Sequence, residues 1–289
     1  FALCRFIAEN YGADALKQIM VELSNPLHFS INKAIEQVTG VSGVQLYDDF
    51  KESIENQYNK STQSIRLNEV KGEILVKKGT ANLHPKWSPG GKKIAYISNK
   101  ENDYFGQTDL FLYDLEKQKS KKLDGGALFA PSWHSSGKYI YYTKKPTIPN
   151  RHGSKYFDIY VYNLEKKKEK RITRHQRAYN PVFISSDSSL AFLSSHDGSQ
   201  NIYHLNLKTE KITKLTDYDN HSILRGLSYD LENHRLLYNR TQHHYRDIYF
   251  YSFMDSSTEV LFANELWDER DINYSNGELI YSDDRSGIY

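Results

Sequence analysis

Two short signatures recur along the chain every 40–50 residues, and no other feature limits the fold as strongly. The clearer one is an acid or amide, an apolar residue, an aromatic, and then alternation. It reads Asp109-Leu-Phe-Leu-Tyr-Asp-Leu, Asp158-Ile-Tyr-Val-Tyr-Asn-Leu, Asn201-Ile-Tyr-His-Leu-Asn-Leu and Asp247-Ile-Tyr-Phe-Tyr-Ser-Phe, with starts 49, 43 and 46 residues apart. A fifth copy opens at Gly287-Ile288-Tyr289. The second signature precedes each copy: Pro85-Lys-Trp-Ser-Pro-Gly-Gly, Pro131-Ser-Trp-His-Ser-Ser-Gly and Pro181-Val-Phe-Ile-Ser-Ser-Asp, with weaker forms at Gly226 and Asp271.

Alternating runs follow each turn, at Lys93–Ser98, Tyr139–Thr143, Leu190–Ser194, Arg235–Asn239 and Glu278–Ser282. Short closing runs end the units at Lys122-Leu, Arg171-Ile-Thr, Lys214-Leu-Thr and Val260-Leu. Four short strands per unit of this length is the period of a β-propeller blade. One blade cannot bury both of its faces, so neighbours must stack, with Trp, Tyr and Ile filling the gap. The expected fold is mainly β: a propeller of four-stranded antiparallel blades over 71–289, about four and a half of them, truncated in the fifth. Glu73-Ile-Leu-Val-Lys matches a closing strand and is expected to complete the last blade.

Residues 1–60 change the period to a helical one. Leu16, Ile19, Met20 and Leu23 are spaced to share one helical face, as are Ile31, Ala34, Ile35 and Val38. Ser30 is placed as an N-cap and Gly40 as a C-terminal stop. Ser42 and Gln45 form a capping box, with Val41 and Leu46 as its hydrophobic staple, and Leu46, Phe50 and Ile54 continue one apolar face. Three amphipathic helices are expected, then a polar linker over 61–70. The chain opens inside a helical pattern at Phe1 and stops inside a repeat, so it reads as the end of one domain and most of another.

Charge is unevenly spread. Residues 71–180 hold 23 basic and 10 acidic side chains, net +13, whereas 181–289 hold 9 and 17, net −8, and 1–70 hold 6 and 9, net −3. That pattern argues against a uniformly basic nucleic-acid binder. No apolar run approaches the 18 or so residues that span a bilayer. A single Cys, Cys4, excludes an internal disulfide framework and a Cys-based zinc site.

With Pro85-Lys-Trp-Ser-Pro-Gly-Gly-Lys-Lys-Ile-Ala-Tyr-Ile-Ser and Asp109-Leu-Phe-Leu-Tyr-Asp-Leu, residues 71–289 resemble the WD-like repeats of the TolB-like propeller family. The stretch from Phe1 to Gly12, with Gly40-Val-Ser and Phe50, resembles the C-terminal end of a gluzincin-type, peptidase MA-like metallopeptidase domain. The first resemblance implies a non-catalytic scaffold for a protein or peptide partner, in the periplasm or cell envelope, associated with the envelope or outer membrane. The alternative is an accessory or gating propeller of a peptidase whose catalytic residues lie outside this chain, in a zinc gluzincin upstream or a prolyl-oligopeptidase-like serine hydrolase downstream.

No catalytic residue is assigned. H-E-x-x-H is absent, and Gly40-Val-Ser-Gly-Val lacks the final Gly of G-x-S-x-G. No metal or other cofactor is expected: His243 and His244 are adjacent and would point apart rather than chelate. The candidate binding residues lie in loops on one rim, those between second and third strands and those leading into a blade. They are His84, Tyr104, Arg151, His152, Arg177, Tyr179, Asn180, His221, Arg225, His243 and His244, with 144–157 as the longest loop. A basic patch is expected from two hairpins at equivalent places in adjacent blades: Lys117, Lys119, Lys121 and Lys122, then Lys166, Lys167, Lys168, Lys170 and Arg171. It reads first as protection of exposed strand edges, and otherwise as a dock for an acidic partner or anionic headgroups. Without interleaved exposed aromatics it is not a nucleic-acid groove.

Overall fold

The computed structural model describes residues 1–289 except 26–29, 185–187, 243, 265, 276 and 286–289. The chain divides into two units, Phe1–Glu73 and Ile74–Tyr289. The first holds four helices: α1 (Ala2–Tyr11), α2 (Ala15–Leu23), α3 (Ile31–Thr39) and α4 (Gly43–Leu67). Ile7, Ala15, Ile19, Ala34 and Leu46 form its core, and Phe6 meets Phe50 edge-on at 5.6 Å.

The capping signals act locally. Ser42 Oγ accepts from Gln45 N (3.2 Å), while the Gln45 side chain turns forward to Asp49 (2.7 Å), so only half of the capping box forms. Gly40 ends α3 at φ 79°, a conformation that costs glycine little. Ser30 precedes α3 but makes no side-chain cap. Met20 and Ile31 are exposed, because a short bundle buries only part of each apolar stripe. The polar stretch expected as a linker continues α4 as far as Leu67. Its polar groups bond to their own helix: Thr62 Oγ1 donates to Tyr58 O (2.6 Å) and Asn68 Nδ2 to Ser64 O (2.9 Å).

The second unit is a propeller built from antiparallel meanders. Blade one is β1 (Asn82–Trp87), β2 (Lys93–Ser98), β3 (Asp109–Asp114) and β4 (Lys119–Asp124). Blade two is β5 (Ala127–Trp133), β6 (Tyr139–Lys144), β7 (Asp158–Asn163) and β8 (Lys168–Arg171). Blade three is β9 (Ala178–Ile184), β10 (Ser189–Ser194), β11 (Asn201–Asn206) and β12 (Ile212–Lys214). Blade four is β13 (Ile223–Asp230), β14 (Arg235–Gln242), β15 (Tyr245–Ser252) and β16 (Thr258–Phe262). A half blade follows, β17 (Glu269–Ser275) and β18 (Glu278–Asp283), so four complete blades and a half match the repeat. Residues 73–77 are not a strand, since β18, the outer strand of the half blade, pairs only with β17 among the described residues.

In blades one to three the second and third strands are the most buried, and their Ile, Leu, Phe and Tyr residues fill the spaces between sheets. Polar groups tie neighbouring blades. Trp133 Nε1 donates to Lys86 O (2.9 Å), Phe183 N to Ser132 Oγ (3.0 Å) and Tyr274 N to Ser228 Oγ (3.1 Å). Lys86 Nζ donates to Asn273 Oδ1 (3.0 Å), which brings the first strands of the first blade and the half blade together.

The acid or amide that opens each third strand is a staple. Asp158, fully buried, accepts from Thr173 Oγ1 (2.8 Å), His175 N (3.1 Å) and Gln176 N (3.2 Å) and pairs with Arg171. Asp109 accepts from Gly126 N (2.9 Å) and Asn102 (2.9 Å) and pairs with Lys122. Asn201 takes the same place with Thr216 and Tyr218 N (2.7 Å), and Asp247 with Asn264 N (3.2 Å). Each staple fixes the segment between one blade and the next. Removing one partner of a buried ion pair costs about 3–5 kcal/mol. Asp158→Ala should therefore lower stability by an amount on that order in urea denaturation, whereas Lys166→Ala, on an exposed turn, should change it by about 0.5 kcal/mol or less.

Candidate functional site

The first strand of every blade carries a register shift, and beside each shift sits a residue in the left-handed region: His84 (φ 54°), Phe129 (66°), Asn180 (50°), Gly226 (56°) and Asp271 (55°). Such bulges re-aim side chains near binding surfaces. First strands of successive blades lie beside one another, so the bulges form a circle near the rim at which the chain enters each blade, here the leading rim. At Gly226 an added Cβ would lie 2.9 Å from Asn239 Oδ1, so the fourth place has no room for a side chain.

The candidate residues are spread around this rim. His84, Tyr179, Asn180 and Arg225 lie within first strands rather than in loops. Burial lowers the His84 imidazole below its ordinary pKa, and the Lys86 ammonium adds to this. Tyr179 is pushed up to about 12 by burial and lies tilted at 5.0 Å against Phe129, which meets Phe157 edge-on at 5.3 Å. Arg177, just before β9, lies 4.6 Å over the Tyr156 ring, and Lys145 lies 4.7 Å over Phe157. Together these make a half-buried aromatic cluster flanked by cations. Tyr104 is exposed in the loop between β2 and β3. Arg151 and His152 bond to each other (3.0 Å) in the loop after β6, away from any assembled site. His221 and His244 are exposed at φ 56° and 76°. His243 lies outside the described residues. The histidines do not converge, and no group of three metal-ligating side chains occurs among the described residues.

The Lys runs lie mostly on strands rather than in hairpins. Asp114 Oδ1 accepts from Lys117 N (3.0 Å) and Asn163 Oδ1 from Lys166 N (2.9 Å), which closes both turns early. Lys119, Lys121 and Lys122 therefore sit on β4, and Lys168, Lys170 and Arg171 on β8, both edge strands; Lys117, Lys166 and Lys167 stay in turns. Lys122 and Arg171 are taken by the staples at Asp109 and Asp158, and Lys170 lies 3.9 Å from Glu210 of the next blade.

A cluster that the repeat pattern did not flag lies between blades one and two. Tyr142 Oη and Lys144 Nζ, two positions apart on β6, face the same pair of carboxylates: Asp124 from β4 and Glu169 from β8. Tyr142 Oη is 2.7 Å from Glu169 Oε2, and Lys144 Nζ is 2.6 Å from Asp124 Oδ2. A hydroxyl has one proton to donate, so it cannot serve both acids unless one carries a proton of its own. Burial, and then the bond with Glu169, hold Asp124 above the usual carboxylate range. Burial also pushes Glu169 up, but its bonds with Asp124, Lys144 and Tyr142 outweigh that and leave it low. The cluster borders a cleft of about 760 Å3 at the leading rim, which Tyr104, Lys145, Lys155 and Phe157 also line. One sequence signal was available: alternation puts Tyr142 and Lys144 on one inter-blade face, and a Lys placed there needs a partner.

The TolB beta propeller domain model matches residues 52–288. The chain belongs to the TolB β-propeller family. Its curated relatives include the Tol-Pal system protein TolB of Ruthia magnifica, 36% identical over 104 residues (35% of this chain and 22% of the relative), and that of Helicobacter pylori, 26% identical over 152 residues (51% and 34%). The chain thus matches between 22% and 34% of the length of these relatives. Among solved structures, TolB from Acinetobacter baumannii superposes with a TM-score of 0.53 at 17% identity, covering 70% of this chain and 51% of that one. A chain of a nidogen–laminin complex reaches 0.54 at 13%, covering 70% and 72%. These likenesses are to the fold. The family match covers the whole propeller, including the blades that form the cleft, and no helix among the described residues is long and apolar enough to cross a membrane.

Lys144 is nearly buried but Asp124 and Glu169 are partly exposed, so Lys144→Met should lower stability in urea denaturation by about 1–3 kcal/mol, less than the loss of a fully buried ion-pair partner. Asp124→Asn should behave differently. A carboxyl whose folded pKa is raised stabilises the fold at low pH and loses that contribution as pH rises through the raised value. The stability of Asp124→Asn relative to the parent should therefore grow between about pH 4 and pH 7, read from melting temperatures across that range.

Proposed function

We propose that this chain is a non-catalytic binding scaffold of the bacterial cell envelope, which holds a protein or peptide partner on the leading rim of its propeller. The observation that carries the reading is the half-buried aromatic cluster Phe129–Phe157–Tyr179, flanked by Lys145 and Arg177 and adjoining the cleft below Tyr104. Aromatic and cationic side chains gathered on a rigid frame suit an extended segment with apolar and polar groups. The acids of the repeat are engaged as staples, Asp230 pairs with Arg235, and Asp124 and Glu169 share Tyr142 and Lys144 in an inter-blade seam, which suits a frame more than a reaction centre. The periplasmic placement rests on resemblance to relatives named as Tol-Pal system proteins. By its own resemblance, we assign the helical unit to the end of a peptidase-like domain.

Peptides selected by phage display against the protein provide the test. Tyr104→Ala with Phe157→Ala should weaken the selected peptides by about tenfold or more, since anchor residues of this kind carry about 2 kcal/mol. The double variant should lower the melting temperature through Phe157, which packs on Phe129, whereas Tyr104→Ala alone, at an exposed position, should change it little. Selected peptides that bind equally well to the double variant would refute the assignment of the leading rim.

A further inference from the structure

The circle of first strands is chemically divided. The residue paired just before each register shift is Leu83, Leu128, Tyr179, Arg225 and Arg270 in blade order. Blades one to three thus present apolar or aromatic groups at this level, and blade four and the half blade present guanidiniums. A third guanidinium joins from Arg246 at the start of β15. The Asp268 carboxylate accepts from the Arg246 backbone N–H (3.1 Å) and from Arg270 Nη2 (2.6 Å), so it pairs with the Arg270 guanidinium while holding the strand at Arg246. The Arg246 Nε is buried and has no hydrogen-bond partner among the described residues. Burial, followed by repulsion from Arg270 and Arg225, lowers the Arg246 pKa. Asp268 and Asp271 offset part of this charge, but Asp268 is engaged as described and Asp271 accepts from Ser282 Oγ (2.9 Å).

We propose that Arg225, Arg246 and Arg270 form a site for a carboxylate of an acidic peptide segment, seated at the leading rim with its apolar neighbours against Leu128, Phe129 and Tyr179. The chemistry favours a carboxylate because one, that of Asp268, already pairs with Arg270 through Nη2 at 2.6 Å, a charge-assisted bond. The divided circle favours a peptide over a bare inorganic anion, since an ion would use only the cationic half. A buried Nε–H without an acceptor costs free energy in the free protein, and a bound carboxylate oxygen would supply one. The inference rests on the scaffold reading and adds to it the charge of the partner.

The test uses the whole chain at low ionic strength and two labelled peptide pools. Both pools are acetylated hexapeptides with one fixed Phe; one has a fixed Glu, and the other has Gln in its place. Fluorescence anisotropy should show the Glu pool binding about tenfold or more tightly than the Gln pool, the worth of one charge-assisted hydrogen bond. Arg246→Gln and Arg225→Gln should each remove most of that preference. Arg225 is exposed, so its variant keeps the test valid if Arg246→Gln fails to fold. Inorganic phosphate should compete only weakly. Equal binding of the two pools would overturn the carboxylate site and leave the scaffold standing. No binding of either pool would overturn both. A Glu preference that survives both substitutions, or phosphate that competes as well as the peptide, would overturn the assignment to these arginines and to a peptide.

Discussion

The propeller depends on the hydrogen bonds that join each third strand to the start of the next blade. A meander of four strands has no covalent reason to hand the chain on at a fixed angle. Asp109, Asp158, Asn201 and Asp247 supply that reason by binding backbone N–H groups of the connecting segment from a buried or nearly buried position. Where the residue is an acid, a Lys or Arg of the fourth strand can neutralise it, as Lys122 and Arg171 do. Where it is Asn, no cation is needed and Thr216 completes the set. The alternation of acid and amide in the signature is therefore one structural task done in two charge states.

Much of the fold was legible in the sequence because it is written several times. Glycines and prolines mark the turns, and alternation marks the buried strands, so β2 was placed to the residue. What escaped the reading depends on contacts between units rather than on pattern. Residues 73–77 have the composition of a strand, but pairing needs a neighbour. The closing strands began earlier than expected because Asp114 and Asn163 shorten the hairpins through their own side chains. Polar residues 61–67 stayed helical because each hydroxyl or amide can bond to its own turn, so polarity alone does not end a helix.

The candidate site was legible to a lesser degree. The rim was identified from loops, yet four of its residues lie on strands, brought there by bulges that no local motif announces. The Asp124–Tyr142–Lys144–Glu169 seam brings together side chains from two blades, and Glu169 sat inside a run read as solvated charge. Arg270 was passed over, and Arg246 was not singled out from the rim stretch His243-His-Tyr-Arg, because the sequence shows them as isolated charges in an acidic half. Their significance comes from the strand order, which sets two of the three guanidiniums at one level of the ring.

The five bulges also separate two jobs that usually share a residue. The backbone makes the kink, and His, Phe, Asn, Gly and Asp all accept it, while the ladder on either side stays the same. Side chains at these places can therefore differ from blade to blade while the strands stay alike, except at Gly226, where Asn239 fills the space. The rim can thus change its chemistry, and with it a partner, without a change of fold.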